Sequence, residues 1–262
     1  MPKERIAKVI ARYGVASRRK AEVLIEEGAV KINGRTLKEC STKVDMQKDK
    51  ISVHGKVLKQ ENDVILALNK PRGYLTTKSD THRRKTVYDL LPKKYQSLHP
   101  VGRLDKETSG LLLFTNNGDL TYKITHPKFE IRKKYQVSIK GKLKEEDIQR
   151  LKKGFKIPGV VGAGPRAGPQ CNERPQGAAR TMQISPCNVE NLLFDKKENK
   201  TRFILDIGEG KKREIRKIFE FLGYELLRLH RVQIGGLSLR GIKMGRIRAL
   251  DEKDIKKILS PS

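Results

Sequence analysis

The chain is short of acids. Its 262 residues hold 30 aspartates and glutamates against 58 lysines and arginines, a net charge of +28. A field of that sign attracts a polyanion, and nucleic acid is the commonest polyanion inside cells. Cysteine is scarce as well: Cys40, Cys171 and Cys187 are odd in number and lack the close spacing of a structural zinc site. They read as reduced and incidental. The five histidines, His54, His82, His99, His126 and His230, are scattered, which supports neither a metal centre nor a cysteine–histidine nucleophile. There is no P-loop and no dinucleotide fingerprint. No apolar stretch approaches the roughly 18 to 20 residues of a membrane span, and the start, MPKERIAKVIARYG, lacks a signal-peptide core and cleavage site. The expected compartment is the cytosol, although a basic start also suits an organelle.

What is present argues for a folded protein. Hydrophobic residues make up 36% of the chain and their runs recur along most of its length, so the charge does not belong to a disordered basic tail. At about 150 residues per domain, the length suggests one large domain and one small one.

The small one comes first. Ile6, Val9 and Ile10 repeat with a helical period over residues 3–13, and Gly14 suits a C-cap. Ser17 is positioned to cap a second helix, SRRKAEVLIEEG, with Ala21, Leu24 and Ile25 inward and Val23 as a further inward candidate. Arg18, Arg19 and Lys20 crowd its first turn, where cations oppose the helix dipole. An external anion and a solvated charged face account for them equally well. Val30 and Ile32 then alternate ahead of Asn33-Gly34, the signal of a tight type I′ hairpin.

In that order, the segment RIAKVIARYGVASRRKAEVLIEEGAVKINGRTL resembles the αL RNA-binding module shared by a small-subunit ribosomal protein, tyrosyl-tRNA synthetases and several RNA-modifying enzymes. The resemblance implies that Arg5, Ser17, Arg18, Arg19, Lys20, Lys31 and Asn33 contact RNA phosphates. The module is expected over residues 1–60.

After the polar linker LKQEND, strands are expected at VILALNK, GLLLFTN, KKYQVSIKG, RFILDIG and ELLRLHRVQIGGLSL. Helices are expected at KEEDIQRLKKGF and at KKREIRKIFEFLG, where Ile215, Ile218, Phe219 and Leu222 share one face. Without regular βαβ alternation, this predicts an α+β domain over residues 61–255 on a mixed, largely antiparallel sheet. Residues 158–188, rich in Gly and Pro, read as a flexible surface-loop insertion.

One stretch is chemically odd. VGRLDKETSG sets Asp105 between Arg103 and Lys106, in a turn ahead of a fully apolar run. Such an acid is by default a surface ion pair. Here the core would hold its backbone while its side chain points out, an ionised carboxylate suited to act as nucleophile or base and unsuited as a general acid. A purely binding surface would avoid an anion that repels phosphate.

VGRLDKETSGLLLFTNNGDL closely resembles the catalytic motif of the pseudouridine synthases. NKPRGYLTT, HPKFEIRKKYQV and the segment from GEGKKREIRKIF to GRIRAL agree with the branch of that family that carries an αL module and modifies ribosomal RNA. The resemblance implies that the glycosidic bond of a uridine is broken, the uracil turned and a carbon–carbon bond formed, without metal, nucleotide or redox cofactor. It makes Asp105 the essential carboxylate, attacking the anomeric carbon or removing a proton from its neighbour. Tyr135 matches the aromatic that stacks on the target uracil, although on its residues alone it reads as a packing tyrosine. Arg216 matches the partner of the carboxylate and Ile215 the apolar lining. An enclosed carboxylate needs such a partner. Arg103, Lys70, Arg72, Lys133 and Lys134 are expected to clamp the RNA backbone, offsetting the cost of flipping the base out. Asp119, in the same motif, is expected to lie too far from Asp105 to form a carboxylate pair. The expected partner is ribosomal RNA, of the large subunit rather than the small, or an assembling ribosomal particle, met by a monomer. The rival reading is a non-catalytic ribosome-binding or assembly protein, and a DNA-binding role ranks third.

Overall fold

The computed structural model describes residues 3–58, 62–158, 181–208, 210–211 and 213–260. Two helices open the chain, α1 (Ile6–Arg12) and α2 (Arg18–Glu26). The first is shorter than its periodicity predicts because Glu4–Arg5 pair as a strand with Lys43–Val44. Ser17 caps α2 by accepting a hydrogen bond from the Lys20 amide (3.3 Å), and Ala21, Leu24 and Ile25 face inward. Val23 does not: it lies about 200° around the helix from Ala21 and is exposed. Four short strands follow, β1 (Val30–Ile32), β2 (Arg35–Thr36), β3 (Ile51–Val53) and β4 (Lys56–Val57), in the order β2-β1-β3-β4. Asn33 and Gly34 turn β1 into β2 with φ of 51° and 84°, the pair of left-handed residues that a type I′ turn requires. Ile6, Ile10, Ile25, Val30, Ile51 and their neighbours form a separate core for this part.

Nine strands build the larger sheet. They are β5 (Ile65–Lys70), β6 (His99–Val101), β7 (Ser109–Thr115), β8 (Lys133–Lys140), β11 (Asn188–Asp195), β12 (Lys200–Ile207), β13 (Leu226–Ile234), β14 (Leu237–Ser238) and β15 (Ile247–Ala249). The path runs β11-β12-β8-β13-β7-β5-β15, with β6 beside β7 and β14 beside β13. Every pairing is antiparallel except β7 with β13. Helices α3 (Gly118–Thr125), α4 (Glu145–Lys153), α5 (Glu214–Phe221) and α6 (Glu252–Leu259) complete this α+β part. The run LLLF in β7 is apolar at every position because both of its faces are covered. Leu112 and Phe114 join the core under α4 and α5, while Leu111 and Leu113 join the one under α3 and α6.

Two boundaries differ from expectation. Helix α6 carries the packed unit past residue 255, because Ile258 is wholly buried against the sheet. Of the stretch 158–188 expected to be a loop, residues 159–180 lie outside the described residues, but Met182–Ile184 form β10, antiparallel to β9 (Phe155–Ile157), with Ile184 in the core. Residues 59–61 of the linker also lie outside the described residues. Among the described residues no helix is long and apolar enough to cross a membrane.

Candidate active site

The loop between β6 and β7 carries Asp105, and buried groups hold its backbone from below. Lys70, at the end of β5, is 0% exposed. Its Nζ donates to the carbonyl oxygens of Thr108 (2.7 Å), Pro71 (3.0 Å) and Asp105 (3.1 Å). Thr76 Oγ1 donates to the Leu104 carbonyl (2.7 Å), and the Gly73 amide donates to that of Lys106 (2.8 Å). Lys70 therefore does not clamp RNA as expected, because its donors are spent on backbone carbonyls of that loop and of Pro71.

Burial pushes the Lys70 amine down to about 8 from its ordinary 10.5, against the opposing pull of Glu107 and Asp105. Between those pH values the unfolded chain binds more protons at this site than the folded chain, so this group makes stability rise with pH from about 8 to 10.5. A Lys70→Met protein removes the donor that the buried Thr108 carbonyl and the half-buried Pro71 and Asp105 carbonyls share, and is expected to lose about 2–4 kcal/mol. It should also show a smaller alkaline gain. Denaturant unfolding of both proteins across that pH range measures both effects, and equal stabilities would contradict the assignment.

Above the loop, Asp105 shares a cavity of about 470 Å³ with Thr108, Tyr135, Ile215, Arg216 and Leu229. Ile215 and Arg216 stand in the first turn of α5, and Tyr135 stands near the start of β8. Arg216 Nε lies 3.5 Å from Asp105 Oδ2, and its Nη2 donates to Thr108 Oγ1 (3.2 Å). Nε itself is buried without a hydrogen-bond acceptor, so the guanidinium has donor capacity in hand beside the carboxylate. Burial disfavours its charge and pulls its pKa down, Asp105 opposes this, and Arg213 adds to it. The arrangement offers an anionic oxygen held by a rigid loop, a cation beside it and an aromatic wall.

Behind that wall lies a residue absent from the expected set. Arg231 is buried, donates from Nε to the Leu111 carbonyl (2.7 Å) and reaches the Tyr135 hydroxyl from Nη1 at 3.4 Å. The alternation of Leu229 and Arg231 in β13 is the signal that places this arginine on the inward face. Lys133, expected as a clamp, is half-buried with its amine pushed down to about 8 by burial and by Arg231, so it is withdrawn from the outer surface. Lys134 is paired with Glu190 at 2.9 Å. Arg72 and Arg103 are exposed, with Arg72 paired to Glu107 (3.1 Å). In the N-terminal part Arg5, Arg18, Arg19, Lys20 and Lys31 are exposed. Ser17 is occupied as a cap, and Asn33 is tied to Asp49 (2.9 Å) and the Lys50 amide (2.8 Å). Asp119 pairs with Lys8 of α1 at 2.6 Å and is not among the residues that line the cavity of Asp105. Among the described residues no group of three His, Cys, Asp or Glu side chains could hold a metal ion.

Residues 64–221 match the family model described as RNA pseudouridylate synthase, and residues 4–60 match the S4 domain. The chain belongs to the RNA pseudouridylate synthase family, with an S4 domain in front of the catalytic fold. It is 38% identical over 97% of its length to the ribosomal large subunit pseudouridine synthase B of Bacillus subtilis (strain 168), of which it covers 95%. An uncharacterized RNA pseudouridine synthase of Aquifex aeolicus (strain VF5) is 32% identical, with 98% of this chain and 94% of that one covered. Among solved structures, a crystal structure of a pseudouridylate synthase superimposes with a TM-score of 0.63 at 28% identity, covering 97% of this chain and 99% of that one.

Proposed function

We propose that the protein isomerises a uridine of large-subunit ribosomal RNA to pseudouridine, as a monomer in the cytosol, with Asp105 as the essential carboxylate. The observation that carries this reading is the convergence of Asp105, Arg216, Tyr135 and Ile215 on one cavity, from a loop, a helix and a strand far apart in the chain. The substrate class is that of the Bacillus subtilis relative, a ribosomal large subunit pseudouridine synthase.

Arg216 compensates the enclosed Asp105 carboxylate before substrate arrives and leaves its oxygens free to attack the anomeric carbon or take the neighbouring proton. Thr108 orients the guanidinium. Tyr135 stacks on the flipped uracil, with Arg231 bracing its hydroxyl from behind. Ile215 and Leu229 give the base an apolar enclosure. The exposed Arg72 and Arg103, with the cations of the S4 domain, hold phosphates and offset the few kcal/mol needed to unstack the base.

Mapping of pseudouridine in rRNA by carbodiimide modification and primer extension, in cells with and without the gene, tests the proposal. Loss of one stop in large-subunit rRNA, restored by the wild-type gene, is expected and names the nucleotide. An unchanged map would favour a ribosome-binding or assembly protein that uses the same basic surface.

A further inference from the structure

Thr108 and Ser109 are neighbours at the start of β7 and serve two different cavities. Thr108 lines the catalytic one, and Ser109 lines a second of about 600 Å³. Because successive strand residues point to opposite faces, the second cavity lies on the other side of the sheet. Its lining includes residues that alternate with the catalytic wall: Gln136, and Ser138 on the same face, against Tyr135 in β8, and Arg228 against Leu229 in β13. Ser138, almost wholly buried, is the register partner of Arg202 on one side and of Arg228 on the other, so two arginines flank one serine across three strands.

This side of the sheet changes character along its width. Under β5 and β7 it is apolar and covered by α3 and α6, with Ala67, Leu111, Leu113 and Ile258 in contact. Under β8, β12 and β13 it is open and cationic. Arg72, Lys200, Arg202 and Arg228 line the groove, and the acids that pair with them are two, Glu107 with Arg72 and Glu198 with Lys200 and Arg202. Arg228 forms no ion pair among the described residues, and its charge adds to burial in holding the His230 pKa below its ordinary range. Leu227 and Met244 also line the groove, but its charged groups are mostly cations, and a groove of that sign suits phosphate oxygens.

We propose that this groove is a second RNA surface, which holds the sugar–phosphate backbone of the rRNA segment flanking the target nucleotide. Exposed Lys106 and groove-lining Arg72 link it to Arg103 at the catalytic mouth, so the strand passes around the loop that carries Asp105. The inference rests on the isomerase reading above and adds where the RNA runs beyond the flipped base.

The test compares an Arg202→Gln/Arg228→Gln protein with a control that loses the same charge elsewhere, Lys152→Gln/Lys153→Gln, on exposed positions of α4. Binding to an in vitro transcript of large-subunit rRNA is titrated over a series of salt concentrations. The groove variant is expected to bind about tenfold more weakly than the control at physiological salt, with the slope of log affinity against log salt flatter by about two, one counterion per lost phosphate contact. Groove and control variants within twofold of each other, at equal slopes, would overturn the proposal. Pseudouridine formation on the same transcript separates the two readings. Groove-dependent binding without product from the wild type removes the isomerase and leaves the groove standing, whereas product with groove-independent binding does the reverse.

Discussion

An Asp105→Asn protein is expected to fold, to bind rRNA as tightly as the wild type and to form pseudouridine at least about 10³-fold more slowly. The substitution keeps the shape of the side chain and removes its charge, so the three effects separate. Folding should survive because the loop is held through its backbone, by hydrogen bonds from Lys70, Thr76 and the Gly73 amide that do not involve the Asp105 carboxylate. Binding should survive because the carboxylate repels phosphate. Turnover should fail because an amide oxygen is a poor nucleophile and a poor base, and Arg216, brought within 3.5 Å of Oδ2, then faces a neutral group. Single-turnover assays on the transcript with thermal unfolding as the control read all three. Turnover within tenfold of wild type would remove Asp105 from the reaction, whatever the product map shows.

A large effect on stability is expected at Gly110. It sits in β7 opposite Lys70 of β5 on one side and Arg231 of β13 on the other, where the sheet's parallel pairing is made. Its φ is +108°, and a Cβ there would lie 2.2 Å from the Arg231 carbonyl oxygen, which is backbone and cannot swing aside. An alanine must part β7 from β13, and with them the loop of Asp105 from the strand that braces Tyr135. The cost, overpacking added to a strained backbone, is about 3–5 kcal/mol. For a chain of this size that lowers the melting temperature by roughly 10 °C or more. Thermal unfolding of Gly110→Ala checks it, and a shift of less than 2 °C would mean that the two strands separate easily.

The elements most legible in the sequence are those in which neighbouring residues carry the whole signal. The Ser17 cap, the Asn33-Gly34 turn and the face of Ile215, Ile218 and Phe219 are statements about a few contiguous positions, and the fold realises each of them. Strand β11 is not legible in the sequence because its residues, NVENLLFD, show no alternation and leave Leu192 and Leu193 exposed. Its pairing with β12 makes it a strand. Short β10 was hidden in a Gly/Pro-rich stretch for the same reason, its partner being β9 on the far side of that stretch.

Charge, the order of the two domains and the turn that presents Asp105 are local or summed properties, and the residues state them without help from the fold. Which cation does what is a different kind of fact. Lys70 and Arg72 are two residues apart in NKPRGYLTT, yet one is wholly buried and the other exposed. Lys70 meets the Asp105 carbonyl 35 residues away, Arg231 meets Tyr135 across 96, and Arg216 meets Thr108 across 108. A side chain's charge is carried in its own atoms, but its burial and its partners are fixed by whichever distant strands and helices close over it. The cavity around Asp105, its braces and the cationic groove behind it are therefore properties of the packed sheet alone.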